Sequence, residues 1–414
     1  MELVLIDSGL VNKAGHHYTL AKTVCGALSR RNLRYRIFSL IGLDTSIEAE
    51  IGAIPHFIRS PYECVRFSWS EKVLRSFAAI FRGAPAGGSP YFSERRSWKQ
   101  LNETFEGDLE ALPADVWQRD NLVVVLTITQ NQILGLVRFL RARPRDQLPR
   151  VVCQLMLPPS FVSWGAVSAH GEKFYREAFK LAAPLIGRSL FFTVDSEAMR
   201  TLYRKDFGLE TDILPIPFNG SGPQRTMKGT VRVGFFGDSR YDKGFQLLPR
   251  AIELCQRDGL DAEFVVQIHN SGWTQCTIEA EAALRALKGV RLLEGVLSSE
   301  DYTAWTGRTD VILLPHDPVF FGAMRASGIF TESVAAGRPV VASRGTFAGT
   351  SVENNQVEGE VFAPHTSEAL AAAIARLMPR LPACKARAAE RAQDFARSHS
   401  PDAYIDVLLA HAKT

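Results

Sequence analysis

The sequence predicts an α/β protein built from two doubly wound parallel sheets, each in a domain of its own. Short, nearly all-apolar runs rich in β-branched residues alternate with longer stretches of helical periodicity, as expected for parallel strands buried on both faces. This alternation occurs twice along the 414 residues, and a proline- and glycine-rich stretch separates the two series. We therefore predict domains over residues 1–216 and 230–384, a linker over 217–229 and a final helix over 385–414.

The first half begins with a buried strand and contains one irregular part. The predicted strands cover residues 3–6, 36–40, 123–128, 151–156, 190–194 and 212–216. The predicted helices cover residues 17–31, 173–183 and 197–207. Residues 55–118 show no clear strand pattern, and we predict an irregular insertion there.

The second half repeats the pattern after the linker. Residues 214–223 contain three prolines and two glycines, a composition that cannot continue a helix or a central strand. The predicted strands that follow cover residues 231–236, 263–268, 290–293, 311–314 and 339–342. The predicted helices cover residues 245–258 and 367–377. The order of these elements predicts a second parallel sheet.

The composition is that of an ordinary globular protein and argues against several functional classes. Lysine and arginine total 48 against 44 aspartates and glutamates, which leaves a net charge of +4. So small an excess argues against a dedicated nucleic-acid binder. No apolar run reaches the roughly 18 residues of a membrane span, and the six cysteines show no paired spacing. We predict a cytoplasmic protein with reduced thiols.

Residues 64–82 leave two interpretations open. Aromatic residues such as Phe67 and Trp69 stand among basic residues such as Arg66 and Lys72. A helix of this composition can lie on an anionic membrane surface, or it can pack on its own domain. Peripheral contact with the inner face of a membrane is therefore kept as an alternative to packing within the domain.

The turn after the first strand is a candidate ligand loop. Gly15 lets a ligand approach the backbone closely, and the N–H groups at the start of the next helix favour an anion. His16 and His17 can donate hydrogen bonds or shuttle protons. The alternative is a plain connecting loop in which one histidine caps the helix.

A second candidate loop opens the second half. A strand ends near Gly237, and Arg240, Lys243 and Gly244 follow before an amphipathic helix. Two cations at the carboxyl end of a buried strand suit a diphosphate. The alternative is a loop that carries two solvated cations.

The third candidate has the most ordered frame. A strand ends near Pro315, and a helix with Glu332 begins after Ser327 and Gly328. The amides of Ser327 and Gly328 can cradle a phosphate, and Glu332 lies on the same helix face as Gly328. A carboxylate there can accept hydrogen bonds from two ribose hydroxyls. The alternative is an ordinary exposed helix glutamate.

Together these motifs resemble the GT-B glycosyltransferases, specifically family 4, whose members are retaining sugar transferases. The family's first glycine-containing pattern is matched by Gly237, Lys243, Gly244, Leu247 and Leu248. Its second pattern is matched in large part by Glu332, Ala335, Gly337, Pro339, Val340 and Val341. Residues 192–197 and 213–217 resemble the end of the family's first domain. The resemblance implies two Rossmann-like domains that face a central cleft.

The resemblance also implies an activity and a set of site residues. It implies a hexosyltransferase that moves a sugar, with retention, from a UDP- or GDP-linked donor to an acceptor hydroxyl. The donor-binding residues it implies are Gly15, Gly237, Arg240, Lys243, Val296, Arg325, Ser327, Gly328, Ile329 and Glu332. The catalytic residues it implies are Arg240, Lys243, His16 and Glu332, with His16 and His17 on the acceptor side. The expected acceptor is a glycan or a lipid-linked molecule in surface-glycan synthesis.

No cofactor or metal is expected beyond the nucleotide-sugar donor. The chain contains no Asp-x-Asp sequence, the motif of divalent-metal sugar transferases, and no cluster of histidines and cysteines with zinc-ligand spacing. Isolated histidines such as His56, His170, His269 and His365 are interpreted as structural or surface residues. His316, at the end of a predicted strand, has a better claim to a role.

Three departures from the family pattern keep other functions open. Met324 stands where the family has the first of two glutamates, and Asp238 stands where it has an arginine that Arg240 could replace. Residues 153–159 lack a histidine that many members have. One alternative is therefore a degenerate protein that binds a nucleotide sugar or a partner without turnover. Others are a nucleotide-sugar epimerase or a phosphorylase of the same fold.

Overall fold

The structure is a computed structural model that describes residues 1–13, 15–63, 91–163, 166–168, 170–218, 229–269 and 274–413. The chain divides into two compact units. The first unit contains Met1–Pro215 together with Tyr404–Thr414, and the second contains Ile216–Ala403. Each unit has one large parallel sheet with its own buried core.

The first unit has a seven-stranded sheet in the order β3-β2-β1-β4-β5-β8-β9. Its strands are β1 (Leu3–Asp7), β2 (Tyr35–Leu40), β3 (Ala53–Phe57), β4 (Leu122–Val125), β5 (Arg150–Leu155), β8 (Leu190–Val194) and β9 (Asp212–Ile213). A small antiparallel hairpin, β6 (Phe161–Ser163) and β7 (Ala166–Val167), lies outside this sheet. All pairs in the large sheet are parallel, and β1 and β4 are buried along their whole length. This burial explains why their sequences are continuous apolar runs.

The helices of the first unit connect these strands in the βαβ manner. They are α1 (His16–Arg30), α2 (Thr45–Ile51), α3 (Tyr91–Ala111), α4 (Ile133–Arg141), α5 (Gly171–Ala182) and α6 (Glu197–Phe207). Strand β1 lies between β2 and β4, so the chain leaves β1 in one direction and crosses it later to form β4. The carboxyl ends of β1 and β4 therefore flank the switch point at which open α/β sheets bind ligands.

The second unit has a six-stranded parallel sheet in the order β12-β11-β10-β13-β14-β15. Its strands are β10 (Val231–Phe235), β11 (Ala262–Ile268), β12 (Val290–Glu294), β13 (Val311–Leu314), β14 (Val340–Ser343) and β15 (Gly359–Phe362). Its helices are α7 (Leu248–Arg257), α8 (Gln275–Ala286), α9 (Ser299–Arg308), α10 (Pro318–Phe321), α11 (Gly328–Ala335), α12 (Phe347–Glu353), α13 (Ser367–Leu377) and α14 (Leu381–Ser398). The switch point of this sheet lies between β10 and β13.

Two edge strands were absent from the sequence prediction. Strand β3 contains Pro55, which lacks the N–H needed by a central strand but is tolerated at an edge. Strand β15 mixes polar and apolar residues and likewise lies at an edge, that of the second sheet. Because neither strand is a buried apolar run, the pattern that finds central strands does not find them.

The prediction of an irregular insertion over residues 55–118 is wrong for its second part. Residues 91–111 form the long helix α3, which packs against α4 and has Trp98 and Phe105 buried. The predicted membrane-contact segment, residues 64–82, lies outside the described residues, as does most of the predicted linker. No helix in the described part of the chain is both long and apolar enough to cross a membrane.

The prediction of one final helix over residues 385–414 is also wrong. Helix α14 ends at Ser398, and a new helix, α15 (Pro401–Lys413), begins at a proline that suits the first turn of a helix. Most of α15 belongs to the first unit, while α14 belongs to the second. The Tyr404 hydroxyl donates a hydrogen bond of 2.8 Å to Gln154 Oε1, which anchors α15 to β5.

Candidate functional site

The carboxyl ends of β10 and β13 carry two loops that are joined to each other. Gly244 in the first loop has φ +74° and lies so close to the second that a Cβ there would be 1.9 Å from the Pro315 carbonyl oxygen. The Asp317 N–H donates to the Asp242 carbonyl at 2.9 Å. Glycine is therefore required at position 244 for the two loops to meet.

Lys243 brings a cation to the end of β10. Its Nζ lies over Gly237, at 3.1 Å from the position a Cβ would have there. Burial, with the nearby positive charges of Arg240 and Arg325, lowers the pKa of Lys243 to about 8. A half-buried ammonium group beside other cations is stabilised by an anion. Gly237, at φ +91°, has no side chain, and this leaves room for the Lys243 ammonium group above its backbone.

Arg240 is engaged by carboxylates of its own loop. Its Nε and Nη2 donate to the two carboxylate oxygens of Asp242 at 2.8 and 2.9 Å, and its Nη1 donates to Asp238 Oδ2 at 3.1 Å. Burial opposes ionisation of Asp242, but these hydrogen bonds prevail and its pKa is lowered. The family resemblance implies that Arg240 could replace the family's arginine and face the diphosphate. In the structure, its guanidinium group is instead paired with Asp238 and Asp242.

Helix α11 carries Glu332 as the sequence predicts. The Ser327 side chain caps the helix by accepting from the Phe330 N–H at 3.2 Å, and no heavy atom lies within 4 Å of a Cβ built at Gly328. One turn further on, Glu332 Oε2 accepts a hydrogen bond of 2.5 Å from the Tyr302 hydroxyl. Glu332 is thus half-buried and hydrogen-bonded, which differs from the alternative of an exposed glutamate.

The pKa values of Glu332 and Tyr302 reflect this pairing. Burial raises the pKa of Glu332 to about 7, against the opposing effects of the Tyr302 hydrogen bond and the Lys243 charge. Burial and the Glu332 charge raise the pKa of Tyr302 well above its ordinary value, so the hydroxyl remains a donor. Tyr302 also packs edge-on against Phe236, which follows β10. Tyr302 was not predicted from the sequence, because it lies on α9, outside the three motifs.

Arg325 and His316 share an aromatic neighbour in the loop after β13. The Arg325 guanidinium lies 4.2 Å from the centre of the Phe321 ring, and the His316 ring stacks on the same ring at 4.0 Å. Burial and the charges of Lys243 and Arg325 lower the pKa of His316 well below its ordinary value. His316 is therefore neutral at physiological pH, beside two cations.

Gln267 links the loop after β10 to the loop after β12, and it was not predicted from the sequence. Its Oε1 accepts from the Gly237 N–H at 2.8 Å, and its Nε2 donates to the Gly295 carbonyl at 2.9 Å. It lies on β11, between the strands that carry those loops, and its polarity within an apolar run was the available signal. Val296, next to Gly295, is 60% exposed. Met324 and Ile329 are partly buried at either side of Ser327.

The first unit places its histidines at the carboxyl end of β1. Gly15 is exposed, has φ +84° and directly precedes α1, while His16 and His17 begin that helix. His17 Nδ1 lies 2.6 Å from Asp7 Oδ1, and its ring lies so close to Gly9 that a Cβ there would be 2.3 Å away. The imidazole is therefore held against the end of the strand.

Tyr62 extends this pair into a chain of four polar side chains. Its hydroxyl lies 3.2 Å from His17 Nε2 and 2.9 Å from His16 Nε2. Asp7 Oδ1 also accepts a hydrogen bond from the Gly9 N–H at 3.0 Å. The four polar side chains thus form a series of close contacts that leads from half-buried His16 to buried Asp7.

The switch point of the first sheet adds a buried amide. Gln132, at the N-cap position of α4 beyond β4, donates from Nε2 to the Ser8 hydroxyl at 2.6 Å. Thr129 and Asn131 donate to the Pro61 carbonyl at 2.8 and 2.9 Å, which holds the segment that carries Tyr62. The four-residue chain is therefore supported from both β1 and β4.

These two units define a class of protein. Each is a Rossmann-like domain with a doubly wound parallel sheet, and each collects polar and charged side chains at the carboxyl ends of its central strands. Residues 230–379 match the family model described as glycosyl transferases group 1. The second unit is therefore similar to this family over residues 230–379, and the two Rossmann-like domains that the sequence motifs imply are confirmed.

Solved structures share the fold over nearly the whole chain. Sucrose-phosphate synthase from Thermosynechococcus elongatus matches with a TM-score of 0.60 and 13% identity, over 99% of this chain and 98% of that one. HepE from Anabaena, in complex with UDP, matches with a TM-score of 0.63 and 15% identity, over 99% of both chains. Trehalose-6-phosphate synthase matches with a TM-score of 0.63 and 14% identity, over 100% and 99% of the two chains.

One curated relative is similar in sequence over a shorter stretch. The phosphatidyl-myo-inositol mannosyltransferase of Propionibacterium freudenreichii subsp. shermanii is 29% identical over 141 residues. The match covers 33% of this chain and spans about a third, 32%, of the relative's length. The sequence similarity to this relative is therefore limited to one region of each chain.

Proposed function

We propose that this protein transfers a sugar from a nucleoside diphosphate to an acceptor hydroxyl. The observation that carries the proposal is the set of charges gathered where β10 and β13 end. Lys243, Arg325 and Glu332 lie near enough for the Lys243 charge to act on the pKa of Glu332 and the Arg325 charge to act on that of Lys243. This is the arrangement a diphosphate and a ribose need, in a unit whose residues 230–379 match the glycosyl transferases group 1 model.

The cations would stabilise the leaving group. Breaking the bond between the sugar and the diphosphate places negative charge on the phosphate oxygens, and fixed positive groups lower the energy of that state. Lys243 and the backbone N–H groups at the start of α11 supply them. Arg325, oriented on Phe321, adds a second cation, whereas Arg240 mainly orders the loop through Asp238 and Asp242.

Glu332 would hold the ribose of the donor. An ionised carboxylate accepts hydrogen bonds from two neighbouring hydroxyls, and its place one turn into α11 sets the ribose beyond the phosphates. The UDP in the HepE structure and the mannosyl transfer named for the bacterial relative support a nucleotide-sugar donor, with UDP or GDP as the carrier. The backbone around Val296 and Ile329 would complete the donor site.

The four-residue chain of the first unit would receive the acceptor. Half-buried His16 begins the chain, and its hydrogen bond to Tyr62 fixes its ring. His16 and His17 would orient the acceptor hydroxyl. As the new glycosidic bond forms, they would take up its proton and pass it toward Asp7. A glycan or a lipid-linked acceptor fits this proposal, and the relative's name supports the lipid-linked kind. Retention of anomeric configuration and independence of a metal are further parts of the proposal.

Calorimetry with nucleotides tests the donor site directly. UDP, GDP, ADP, dTDP and CMP are titrated without metal into the wild type, Glu332→Ala and the matched control Glu353→Ala, which removes an exposed glutamate of α12. We expect one diphosphate to bind well and to lose about tenfold or more of its affinity in Glu332→Ala only. Equal binding by all three proteins would contradict the assignment of Glu332.

Turnover with the matching nucleotide sugar then tests the activity. We expect release of the nucleoside diphosphate in the presence of an acceptor, in buffer with a chelator, and a product whose anomeric configuration by NMR equals that of the donor. A product of inverted configuration would contradict retention, and activity restored only by a divalent cation would contradict metal independence.

The pairing of Arg240 favours a second candidate, a protein that binds a nucleotide sugar without turnover. The cation expected to face the diphosphate is held by Asp238 and Asp242, and Met324 provides no carboxylate for the donor sugar. This candidate predicts nucleotide binding that depends on Glu332, with neither transfer nor hydrolysis over a broad panel of acceptors.

A further inference from the structure

The first unit has a cationic cavity at the edge of its sheet opposite to His16. The cavity has a volume of about 370 Å³ and is lined by Arg119, Arg145, Arg150 and Arg188, with Asp146 and Leu148 among its other walls. These residues lie in the segments that lead into the amino ends of β4, β5 and β8. We call the four arginines the arginine pocket. It belongs to none of the three sequence motifs.

The positive charge of the arginine pocket is poorly compensated. Among the residues that the structure describes, Arg119, Arg145 and Arg188 make no ion pair with a carboxylate. Arg150 donates from Nη1 to the His411 carbonyl at 2.6 Å, which fixes its guanidinium group. Asp146 is the one acid of the lining.

Several arginines elsewhere in the same unit are paired with carboxylates. Arg36 donates to Glu2 at 2.6 Å, Arg31 to Asp406 at 2.6 Å and Arg204 to Glu210 at 2.8 Å. The arginine pocket instead gathers three arginines without such a partner among the described residues, in a chain whose charges are nearly balanced. Like charges gathered in one concavity repel each other, and this cost is relieved when an anion enters.

The neighbouring helix ends do not supply enough negative charge to balance the pocket. Helices α4 and α5 end at Arg141 and Ala182, shortly before the lining segments. A helix carboxyl end is equivalent to roughly half a negative charge, and its effect falls off within one turn. Two such ends and Asp146 leave the guanidinium groups of Arg119, Arg145 and Arg188 with an excess of positive charge.

We propose that the arginine pocket binds a phosphate-type anion, either the phosphoryl headgroup of a lipid or a soluble phosphate ester. Guanidinium groups match phosphate oxygens with paired, charge-assisted hydrogen bonds. Leu148 and Leu185 offer an apolar wall for the organic part of the ligand. The volume falls within the range of about 300–1,000 Å³ of small-molecule sites. The proposal does not depend on the sugar transfer proposed above, because no pocket residue belongs to the second unit.

Calorimetric titration with pyrophosphate at constant ionic strength tests the binding of the anion. The measurement is made in a Lys243→Met background, which weakens the separate diphosphate site of the second unit. Added to it are Arg145→Ala with Arg188→Ala or, as the charge-matched control, Arg257→Ala with Arg397→Ala, which removes two exposed arginines of the second unit. We expect affinity to fall about tenfold or more in the pocket variant and to stay unchanged in the control. Equal affinity in both would overturn the proposal.

Vesicles distinguish the two sources of the anion. The same proteins are floated with phosphatidylcholine vesicles that contain about 30% phosphatidylglycerol. Vesicle binding that is lost in the pocket variant alone identifies a lipid headgroup, and pyrophosphate binding without vesicle binding identifies a soluble phosphate ester. Thermal unfolding of each variant confirms that the exposed substitutions leave the fold intact, so a loss of binding is attributable to the missing guanidinium groups. A pocket variant that behaves as the control in both assays refutes the site.

Discussion

Glu332 accepts a short hydrogen bond from Tyr302. The hydrogen bonds that we propose it accepts from ribose hydroxyls therefore depend on a residue outside the motif. The carboxylate must be ionised to accept from two hydroxyls, whereas its protonated form donates from one oxygen. With a pKa of about 7, Glu332 loses its ionised form as the pH falls below neutrality. Nucleotide affinity should therefore weaken on the acid side.

Tyr302→Phe removes the hydrogen bond that lowers the pKa of Glu332. The pKa of Glu332 then rises, and the acid-side loss of nucleotide affinity should move to higher pH. Calorimetric dissociation constants measured from about pH 6 to pH 9 follow this shift. Tyr241→Phe serves as the control, because Tyr241 is 43% exposed. An acid limb at the same pH in wild type and Tyr302→Phe would show that the hydroxyl does not tune the carboxylate.

Lys243→Met removes the cation beside Gly237. Because this ammonium group has a pKa of about 8, wild-type affinity for a nucleoside diphosphate should fall again above that pH. The variant should lose this alkaline limb and about ten- to a hundredfold of its diphosphate affinity, but much less of its affinity for the monophosphate. Lys288→Met, an exposed lysine, is the matched control. Equal losses for both nucleotides would place Lys243 away from the terminal phosphate.

At the scale of elements, the loops after β10 and β13 depend on a single close contact. Gly244 combines a left-handed backbone with a position against the Pro315 carbonyl, whereas Gly259, at the end of α7, has the same backbone conformation in open space. The two glycines therefore separate the cost of conformation from the cost of crowding. Gly244 therefore matters for the packing of the two loops as well as for its turn, whereas Gly259 matters only for its turn.

Gly244→Ala should destabilise the protein more than Gly259→Ala. The left-handed backbone costs alanine about 1–2 kcal/mol at either site. At position 244 the Cβ would also displace Pro315, and this crowding adds to the loss. Urea unfolding followed by tryptophan fluorescence measures both changes. If the two variants lost the same stability, the loops would have room to separate, and the contact would not be what positions Lys243.

Central elements were predictable from the sequence because each is a buried apolar run. Strands such as β1 and β13 lie where the pattern places them, as does helix α11 with its serine cap and Glu332. Tyr302, Tyr62 and Gln267 were not predicted, since each reaches the site from an element distant in sequence. A hydrogen bond between such elements leaves no periodic signal along the chain.

At the scale of the whole molecule, the chain passes from one unit to the other and back. The first unit ends at Pro215 and is resumed at Tyr404, and the segments at both passages meet where the Phe218 N–H donates to the His399 carbonyl at 2.6 Å. Helix α15 then contributes buried Tyr404, Ile405 and Leu408 to the first unit. The two-domain pattern was readable in sequence, but this return was not, because an amphipathic helix does not specify its partner.

Tyr404→Phe should weaken the first unit selectively. Loss of the hydroxyl leaves Gln154 Oε1 buried without its donor, at a cost of about 1–3 kcal/mol. Hydrogen exchange followed by mass spectrometry should show faster exchange in peptides from β1, β4 and β5. Peptides from β10 and β13 serve as the internal reference and should not change. Equal acceleration in both sheets would mean that the two units unfold as one.

The return of α15 has a consequence for synthesis on the ribosome. The chain emerges in order, so the whole of the second unit must leave the exit tunnel before Tyr404, Ile405 and Leu408 can cover the first sheet. Until then the nascent first unit exposes the apolar surface that this helix buries. The unit made first is thus completed last, and chaperones that hold emerging chains would find their binding surface there.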